Sequence, residues 1–532
     1  MITKGYKKNI HFFPCRVKHF LVNCTKIGRR KAANTKYGGP TIFFFRETWY
    51  TDRRTPLRGM PMVFSSLNFL FLFLPSLLVC YFILPARYRE GRNLILLGFS
   101  LAFYAYAGVR FLPIIVVSIL INYLFGLLVS PERRGGRKAA AALAVVCNLA
   151  LLGWFKYAMF TAGVLNDLGI AVPVPQVVLP IGISFFTFQG MSYVLDVYRG
   201  DAAAERSPLR VALYIALFPQ LVAGPIVRYT TVAREIRVRQ ESVEEFAEGA
   251  VRFLFGLSKK MLLANPMSQI ADAAFALPVE QLSAGMAWLG AVSYAFQIYF
   301  DFSGYSDMAI GLGRMFGFHF LENFDYPYLS RSITEFWRRG HISLGSWFRD
   351  YVYIPLGGNR GALWKRLRNI LVVWALTGFW HGAEWTFLFW GLYYGLLLMG
   401  EKFLWGGLLD RLPSPLRRVY TLLLVCVGWV LFRSESAAGA LGMVRVLFGG
   451  GSGGLAGQAV YYLLEFRWEL LFAVIAALPV KRWTEGFLAR REGAAAKALS
   501  IWGPRVLALG LGAWSVVRLV SSTFNPFIYF RF

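Results

Sequence analysis

The sequence predicts an all-α, polytopic integral membrane protein. Hydrophobic residues make up 56% of its 532 residues, and only 16% are charged, a balance typical of chains with many membrane segments. Apolar runs that approach the length needed to cross a hydrocarbon core of about 30 Å recur along the chain. We expect roughly nine to twelve membrane helices, several of them broken or re-entrant, from the runs at 63–84, 94–107, 111–129, 139–160, 177–198, 285–313, 369–400, 419–432, 457–480 and 503–524.

The first 61 residues differ from the rest of the chain. They hold 14 Lys and Arg but only 2 Asp and Glu, and they lack the uninterrupted apolar core of a signal peptide. Basic loops follow the first, third and fifth apolar runs, so the positive-inside rule places the start of the first helix outside, where a basic tail is disfavoured. We therefore predict that residues 1–61 are a non-native extension, that translation begins at Met62, and that 62–532 form a single membrane domain. The alternative is a disordered basic tail.

The net charge of +28 does not predict nucleic-acid binding. The charge is divided between the N-terminal segment and short loops beside the apolar runs, which is the distribution of a membrane protein. The five cysteines have no CxxC or other ligand spacing, so we expect neither disulfides nor a metal site. The motifs GxSxG, HExxH and GxxxxGK[ST] are all absent. The sequence therefore does not support a serine hydrolase of the nucleophile-elbow type, a zinc peptidase or a P-loop nucleotide-binding protein.

One apolar segment, VALYIALFPQLVAGPI at 211–226, has basic residues on both sides and contains Pro219, Gly224 and Pro225. A segment that starts and ends on the cytoplasmic side and contains helix breakers is best explained as re-entrant. VLPIGISFFTFQGMSY at 178–193 is similar in kind. Broken backbone at membrane depth is tolerated only against protein or a cavity, so we expect a cavity beside these segments.

The basic stretch 314–368 is predicted to be a cytoplasmic connection. Within it, SITEFWRRGHISLGSWFRDYVYIPLGGN at 332–359 is amphipathic, so it is expected to form a helix that lies in the membrane interface. His341 follows Trp337 by four residues and precedes Leu344 by three, which places it on the membrane-facing side of that helix.

His381, in TGFWHGAEW at 377–385, is the strongest candidate for a functional residue. A helix entering from the cytoplasm at Asn369 would carry it roughly 18 Å into the bilayer, near the midplane, where a polar side chain is costly and therefore suspect. The run to Gly400 is too long for one straight crossing, so a break is expected near Gly378 or Gly382. An imidazole with an ordinary pKa of about 6.5 can take a proton from a hydroxyl group as it attacks an acyl carbon.

Two carboxylates, Asp301 and Asp307, lie in the apolar stretch YFDFSGYSDMAIGLG. They are candidates for orienting partners or binding substrate. In a transporter, such groups would couple ion movement. Pairing with the many arginines is an equally good explanation of each carboxylate taken alone.

Several long motifs, in order, resemble the membrane-bound O-acyltransferase family, and within it the branch that acts in alginate O-acetylation. The resemblance covers Met62 to Phe532. Its motifs are FPQLVAGPIVRY (218–229), DFSGYSDMAIGLGRMFGF (301–318), ENFDYPYLSRSITEFWRRGHISLGSWFRDYVYIPLGGNR (322–360), TGFWHGAEWTFLFWGLYYG (377–395) and NPFIYFRF (525–532). One departure is Gly340, where the family usually has a Trp, and this predicts looser packing beside His341.

The resemblance implies helices around a central tunnel in the bacterial cytoplasmic membrane. It also implies an acyl group, such as acetyl, taken from a cytoplasmic thioester such as acetyl-CoA, with no bound cofactor, and passed to an acceptor hydroxyl outside. The family's two active-site histidines match His341 and His381, and the resemblance implies that His381 is the catalytic base. Trp380, Arg338 and Arg339 join Asp301 and Asp307 as candidates for donor or substrate binding. A basic cytoplasmic face suits a phosphate-rich donor.

We predict O-acetylation of an exported polysaccharide such as alginate, relayed through an extracytoplasmic acetyltransferase- or esterase-like partner. Two close alternatives use the same chemistry: peptidoglycan O-acetylation and D-alanyl transfer to teichoic acid. A more remote alternative is a transporter or flippase without acyl chemistry, but this would predict paired inverted halves, and the sequence shows no such repeat.

Overall fold

The computed structural model describes residues 62–133, 135–451 and 456–522, together with Asn525 and Ile528. The predicted extension at 1–61 lies outside these residues. Within them the regular structure is helical, apart from one antiparallel bridge between Phe324 and Gly340. The predicted all-α class is therefore confirmed for the described part of the chain.

Most of the helices are joined by short connections, the segments 168–182 and 316–332 being longer, and several helices continue through a π-helical turn. In chain order they are α1 (Leu74–Ile83), α2 (Arg89–Tyr106), α3 (Leu112–Leu128), α4 (Arg137–Leu152), α5 (Ala158–Asp167), α6 (Ile183–Arg199), α7 (Pro208–Ala216), α8 (Phe218–Leu221), α9 (Tyr229–Arg237), α10 (Val243–Ser258), α11 (Asn265–Phe275), α12 (Ala284–Met315), α13 (Ile333–Arg339), α14 (Ile342–Phe348), α15 (Leu363–His381), α16 (Trp385–Phe403), α17 (Gly406–Arg411), α18 (Ser414–Arg433), α19 (Ala437–Leu447), α20 (Ala456–Glu465), α21 (Arg467–Ala476), α22 (Val480–Ala489) and α23 (Ala494–Ser521).

By length and composition, four helices among the described residues could cross a membrane: Val109–Leu128, Arg137–Asp167, Ser414–Arg433 and Ala494–Ser521. Two shorter apolar helices, Phe69–Ile83 and Ala437–Leu447, accompany them. The chain is a membrane protein. The larger total of nine to twelve membrane segments stays a prediction.

The centre of the fold is a close contact between α10 and α12. Gly249 and Gly256 of α10 face Gly311 and Gly304 of α12. A Cβ atom added at Gly249 would lie only 2.6 Å from the carbonyl oxygen of Gly311, and one at Gly256 would lie 2.5 Å from that of Gly304. Small residues let helix backbones approach this closely in membranes, where packing replaces the hydrophobic effect as the source of association.

The long apolar run at 369–400 is not one crossing but a hairpin. Helix α15 ends at His381, the chain is extended at Gly382 (φ −160°, ψ 153°), and α16 begins at Trp385. The two helices then pack along each other through Gly378 and Gly391: a Cβ atom at Gly391 would lie 2.2 Å from the carbonyl oxygen of Trp374. The predicted break is therefore present at Gly382, and it places His381 at the tip of the hairpin.

The segment at 211–226 is also broken, as predicted. Helix α7 ends at Ala216, α8 is a single turn, and the following residues are not helical. The Tyr214 hydroxyl donates to the carbonyl oxygen of Val227 at 2.9 Å and so joins the two limbs. A Cβ atom at Gly182, where φ is 73°, would lie 2.4 Å from the carbonyl oxygen of Leu221. The second broken segment therefore packs directly on the first.

Replacing Gly378 with Leu should disrupt the hairpin. The new Cβ atom would lie 2.2 Å from the carbonyl oxygen of Phe387, and overpacking of this kind costs about 1–3 kcal/mol or more. We expect a clear loss of thermal stability or of folded protein, measured by size-exclusion chromatography in detergent after heating. Gly98→Leu is the matched control, because a Cβ atom there meets nothing within 4 Å. Equal stability of the two variants would contradict the close packing.

Candidate active site

His381 occupies the last position of α15, at the tip of the helix hairpin. Its ring is 6% exposed and lies against three aromatic side chains. The centroid distances are 4.9 Å to Trp380, 5.1 Å to Trp390 and 5.3 Å to Phe432. The hairpin thus carries an imidazole into an aromatic pocket inside the protein.

His341 lies between α13 and α14 rather than on one continuous helix. The chain is extended at Gly340, which forms the bridge with Phe324, and His341 itself has a left-handed backbone conformation with φ of 48°. The Ile342 N–H donates to the carbonyl oxygen of Asn323. This pairing with the segment at 323–325 interrupts the helix and turns His341 inward.

The expected orientation of His341 was therefore wrong. The amphipathic pattern placed it on the membrane-facing side of an interfacial helix, whereas its side chain is buried, 6% exposed, against Phe302 at 4.6 Å. Gly340 is not required by close packing, because a Cβ atom there would meet its nearest neighbours at 3.4 Å and 3.5 Å.

The two histidines, which are distant in the sequence, meet in the fold. Their ring centroids lie 6.2 Å apart, and Trp380 is beside both, 6.0 Å from His341. Phe185 and Phe188 of α6 close the other side of Trp380, at 5.4 Å and 5.7 Å.

Buried polar atoms collect around His381. Within the described chain, both of its ring nitrogens and the indole nitrogens of Trp380 and Trp390 have no hydrogen-bond partner. Buried polar groups in proteins are nearly always satisfied, so a cluster of exceptions calls for a functional explanation. Four such atoms around one apolar pocket are what a site needs if it is to hold a polar reacting group.

The two predicted carboxylates are engaged in ion pairs. Asp301 pairs with Lys260 at 2.7 Å and accepts a hydrogen bond from the Ile528 N–H at 2.8 Å. Asp307 pairs with Arg252 at 2.9 Å and with Lys259 at 2.6 Å. Both carboxylates therefore have a structural role in holding α12 to its neighbours.

The two predicted arginines lie on α13, which precedes His341. Arg338 is exposed. Arg339 pairs with Glu335 at 2.9 Å and with Asp325 at 3.5 Å. Of the predicted site residues, the structure therefore brings together His341, His381 and Trp380, while Arg339 has acidic partners of its own.

Sequence reasoning missed Lys156 and Glu401. The Lys156 ammonium group donates to the carbonyl oxygens of Trp380 at 2.5 Å and His381 at 3.1 Å. The Glu401 carboxylate accepts hydrogen bonds from the N–H groups of Ile333 at 2.6 Å and Thr334 at 2.8 Å, at the start of α13. The available signal was a charged residue inside or beside an apolar run, which is itself unusual.

A cavity of about 620 Å³ opens on the face that the basic loops assign to the cytoplasm. Arg199 and Arg228 stand over the Tyr351 ring at 5.0 Å and 5.4 Å. Burial would raise the pKa of the Asp350 carboxyl, but hydrogen bonds from Arg349 and Arg228 outweigh this and lower it. The lining residues are Asp196, Arg199, Asp201, Arg228, Thr230, Asp350, Tyr351, Ile354 and Pro355.

Aromatic side chains lead from this cavity to the histidines. The Tyr351 ring lies 5.1 Å from that of Trp347, which stacks on Phe188 at 3.8 Å, and Phe188 lies 5.7 Å from Trp380. Within the described residues, no group of three His, Cys, Asp or Glu side chains could hold a metal ion.

Known proteins are similar in sequence to this chain over most of its length. A protein described as probable alginate O-acetylase AlgI from Azotobacter vinelandii is 42% identical over 504 residues, covering 88% of this chain and 100% of the relative. The chain belongs to the membrane-bound O-acyltransferase family. The family model itself matches residues 201–408, which include His341 and His381.

Two further relatives of this O-acyltransferase differ in the acceptor that their names give. A probable alginate O-acetylase AlgI from Pseudomonas aeruginosa is 46% identical over 400 residues, covering 74% of this chain and 76% of the relative. A peptidoglycan O-acetyltransferase from Helicobacter pylori is 34% identical over 449 residues, covering 78% and 84%. The chain is thus an O-acyltransferase that uses an acyl donor.

Removing the Glu401 carboxylate should loosen the helix that leads to His341. Glu401→Ala leaves the buried N–H of Ile333 without its acceptor, at a cost of about 1–3 kcal/mol. We expect a lower thermal unfolding temperature, measured in detergent. The control is Glu132→Ala, since Glu132 forms only an exposed surface pair with Arg206, which is worth at most about 1 kcal/mol. If Glu401→Ala unfolds at the same temperature as this control, the Glu401 carboxylate does not stabilise α13.

Proposed function

We propose that this membrane-bound O-acyltransferase moves an acetyl group from acetyl-CoA on the cytoplasmic side to a hydroxyl group destined for an exported polysaccharide, alginate in the first instance. His381 acts as the general base and His341 supports the donor side. The observation that carries the proposal is the meeting of the two histidines in one buried aromatic pocket, in a chain whose relatives include alginate O-acetylases.

The geometry supports a direct acyl transfer. The acceptor oxygen attacks the thioester carbonyl carbon while its proton passes to a ring nitrogen of His381. As the C–O bond forms and the C–S bond breaks, the proton moves on to the leaving thiolate and releases the free thiol. An apolar pocket excludes water, so hydrolysis of the thioester does not compete.

The cavity on the cytoplasmic face is proposed as the entrance for the donor. Arg199 and Arg228 offer guanidinium groups, which bind phosphate oxygens in bidentate fashion. Arg228 also pairs with Asp350 at 2.6 Å, so the phosphates of acetyl-CoA would share this arginine with that carboxylate. Its Tyr351 begins the aromatic path toward Trp380. The thioester end of a long, thin donor could follow that path to His381 while its phosphates stay at the arginines.

The acceptor side is proposed to open outside the cytoplasmic membrane of a bacterium. From the buried site, a small hydroxyl-bearing carrier or an extracytoplasmic acetyltransferase- or esterase-like partner would take the acyl group onward to the polymer. Peptidoglycan is the second candidate acceptor, because the Helicobacter pylori relative bears that name. Both polymers can be offered in the same assay.

Replacing His381 with Ala should reduce acyl transfer by about 10²- to 10⁴-fold, the usual contribution of a general base. The measurement is release of free thiol from acetyl-CoA by the purified chain in lipid nanodiscs, with short alginate or peptidoglycan fragments as acceptor and a reaction without added acceptor as the blank. His319→Ala is the matched control, because His319 is an exposed histidine beside Glu235. Full activity in His381→Ala would contradict the assignment of the base.

Replacing Arg228 with Gln should raise the KM for acetyl-CoA about tenfold with little change in kcat. Loss of one charge-assisted hydrogen bond costs about 1.5–3 kcal/mol, and the remaining arginine keeps part of the attraction. The same thiol-release assay measures both constants. Arg133→Gln, an exposed arginine in another basic loop, serves as the control. An unchanged KM would show that the donor enters elsewhere.

A further inference from the structure

Lys156 lies within a helix that is long and apolar enough to span the membrane. It belongs to the π-helical turn Gly153–Tyr157, which joins α4 to α5 within the apolar span Arg137–Asp167. A lysine within such a span is costly unless it has partners inside the protein, and π turns within helices are frequent at functional sites. Both observations indicate a functional role for Lys156.

The side chain of Lys156 reaches the end of the hairpin helix α15. Its ammonium group donates to the carbonyl oxygen of Trp380 at 2.5 Å, to that of His381 at 3.1 Å and to the Ser184 hydroxyl at 3.3 Å. An ammonium group has three protons to donate, and these contacts account for all three. No proton is left to bind a reacting oxygen, so Lys156 acts on the backbone and not on the substrate.

The next residue continues the same contact. The Tyr157 hydroxyl donates to the carbonyl oxygen of Phe379 at 2.9 Å, and its ring stacks on that of Phe379 at 4.3 Å with an angle of 9°. Lys156 and Tyr157 together therefore satisfy three successive carbonyl groups, those of residues 379, 380 and 381. We refer to these two residues as the carbonyl clamp.

The end of α15 needs such a clamp. The last four carbonyl groups of a helix have no partner within it, and at membrane depth water is not available to replace them. The negative end of the helix dipole also favours a cation there. Because Gly382 is extended, the helix cannot continue, and its last turn would otherwise be free to unwind together with His381.

We propose that Lys156 is a positioning residue: with Tyr157 it fixes the last turn of α15, so that the imidazole of His381 keeps the direction needed to reach the acceptor hydroxyl. This rests on the proposed function, in which His381 is the base. A displacement of about 1 Å at a reacting group can lower the rate about 100-fold. If the last turn of α15 loses its fixed position, kcat should therefore fall while the KM for the donor changes little.

The test compares Lys156→Met, which keeps the length of the side chain without its charge, with Lys156→Arg and Tyr157→Phe in the thiol-release assay. We expect Lys156→Met to lower kcat about 10- to 100-fold with the KM for acetyl-CoA unchanged. Tyr157→Phe, which loses one hydrogen bond, should lower kcat severalfold, and Lys156→Arg should recover most of the loss. The control is Lys138→Met, an exposed lysine at the start of α4.

A pH–rate profile separates positioning from proton transfer. If Lys156 only orients His381, the residual activity of Lys156→Met keeps every ionisation seen in the pH–rate profile of the unaltered chain, displaced at most by the loss of one positive charge beside His381. Disappearance of one ionisation from the profile would show that Lys156 itself exchanges protons and would overturn the proposal, as would an unchanged kcat. Should Lys156→Met not fold, Tyr157→Phe decides the question by its kcat alone. Lack of thiol release by the unaltered chain would instead contradict the proposed function, and with it this inference.

Discussion

The structure depends on one constraint: where a helix ends inside the membrane, its unpaired backbone N–H and C=O groups must find hydrogen-bond partners in the protein. The sequence predicts that the turn between α15 and α16 lies at membrane depth, and the last carbonyl groups of α15 are satisfied by Lys156 and Tyr157 from another helix. On the other side, the first N–H groups of α13 are satisfied by the buried carboxylate of Glu401. His381 thus ends a helix whose last carbonyl groups are held by side chains from another helix, and His341 follows a short helix whose first N–H groups are held by Glu401.

This arrangement divides the buried polar groups of the site into two kinds. Lys156 and Glu401 form hydrogen bonds mainly with backbone atoms, together with the Ser184 and Thr334 hydroxyl groups, and so they hold the surrounding helices in place. The ring nitrogens of His381 and the indole nitrogen of Trp380 have no hydrogen-bond partner among the described residues. A group that is held in place while its own polar atoms stay available is preorganised for chemistry, because no bond has to be broken before the reacting atoms bind.

The amino-acid sequence alone predicted the elements of the fold well, because apolar runs and helix breakers are local signals. The break at Gly382, the broken segment at 211–226 and the burial of His381 all follow from such signals. The prediction of one continuous helix through His341 was wrong, since the chain is interrupted by the pairing of Gly340 with Phe324, which the periodicity of the sequence does not reveal. The cationic partners of Asp301 and Asp307 could not be predicted from the sequence either, because they lie on α10 and on the π-helical turn that follows it.

The ion pairs of Asp301 and Asp307 distinguish this protein from an ion-coupled transporter. An ion-coupled transporter needs acidic groups that exchange partners with the transported ion. Here Asp301 is held by Lys260 and by the Ile528 N–H, and Asp307 by two cations. Breaking the buried Asp301–Lys260 pair leaves an uncompensated charge and costs about 3–5 kcal/mol, and the half-buried Asp307 would have to leave two cations at once. These carboxylates are therefore poorly suited to a cycle of release and rebinding. Carboxylates fixed in this way do not suit ion coupling, which agrees with the chain's membership of an acyltransferase family. Our proposal assigns the proton transfer that acyl transfer to a hydroxyl group requires to His381.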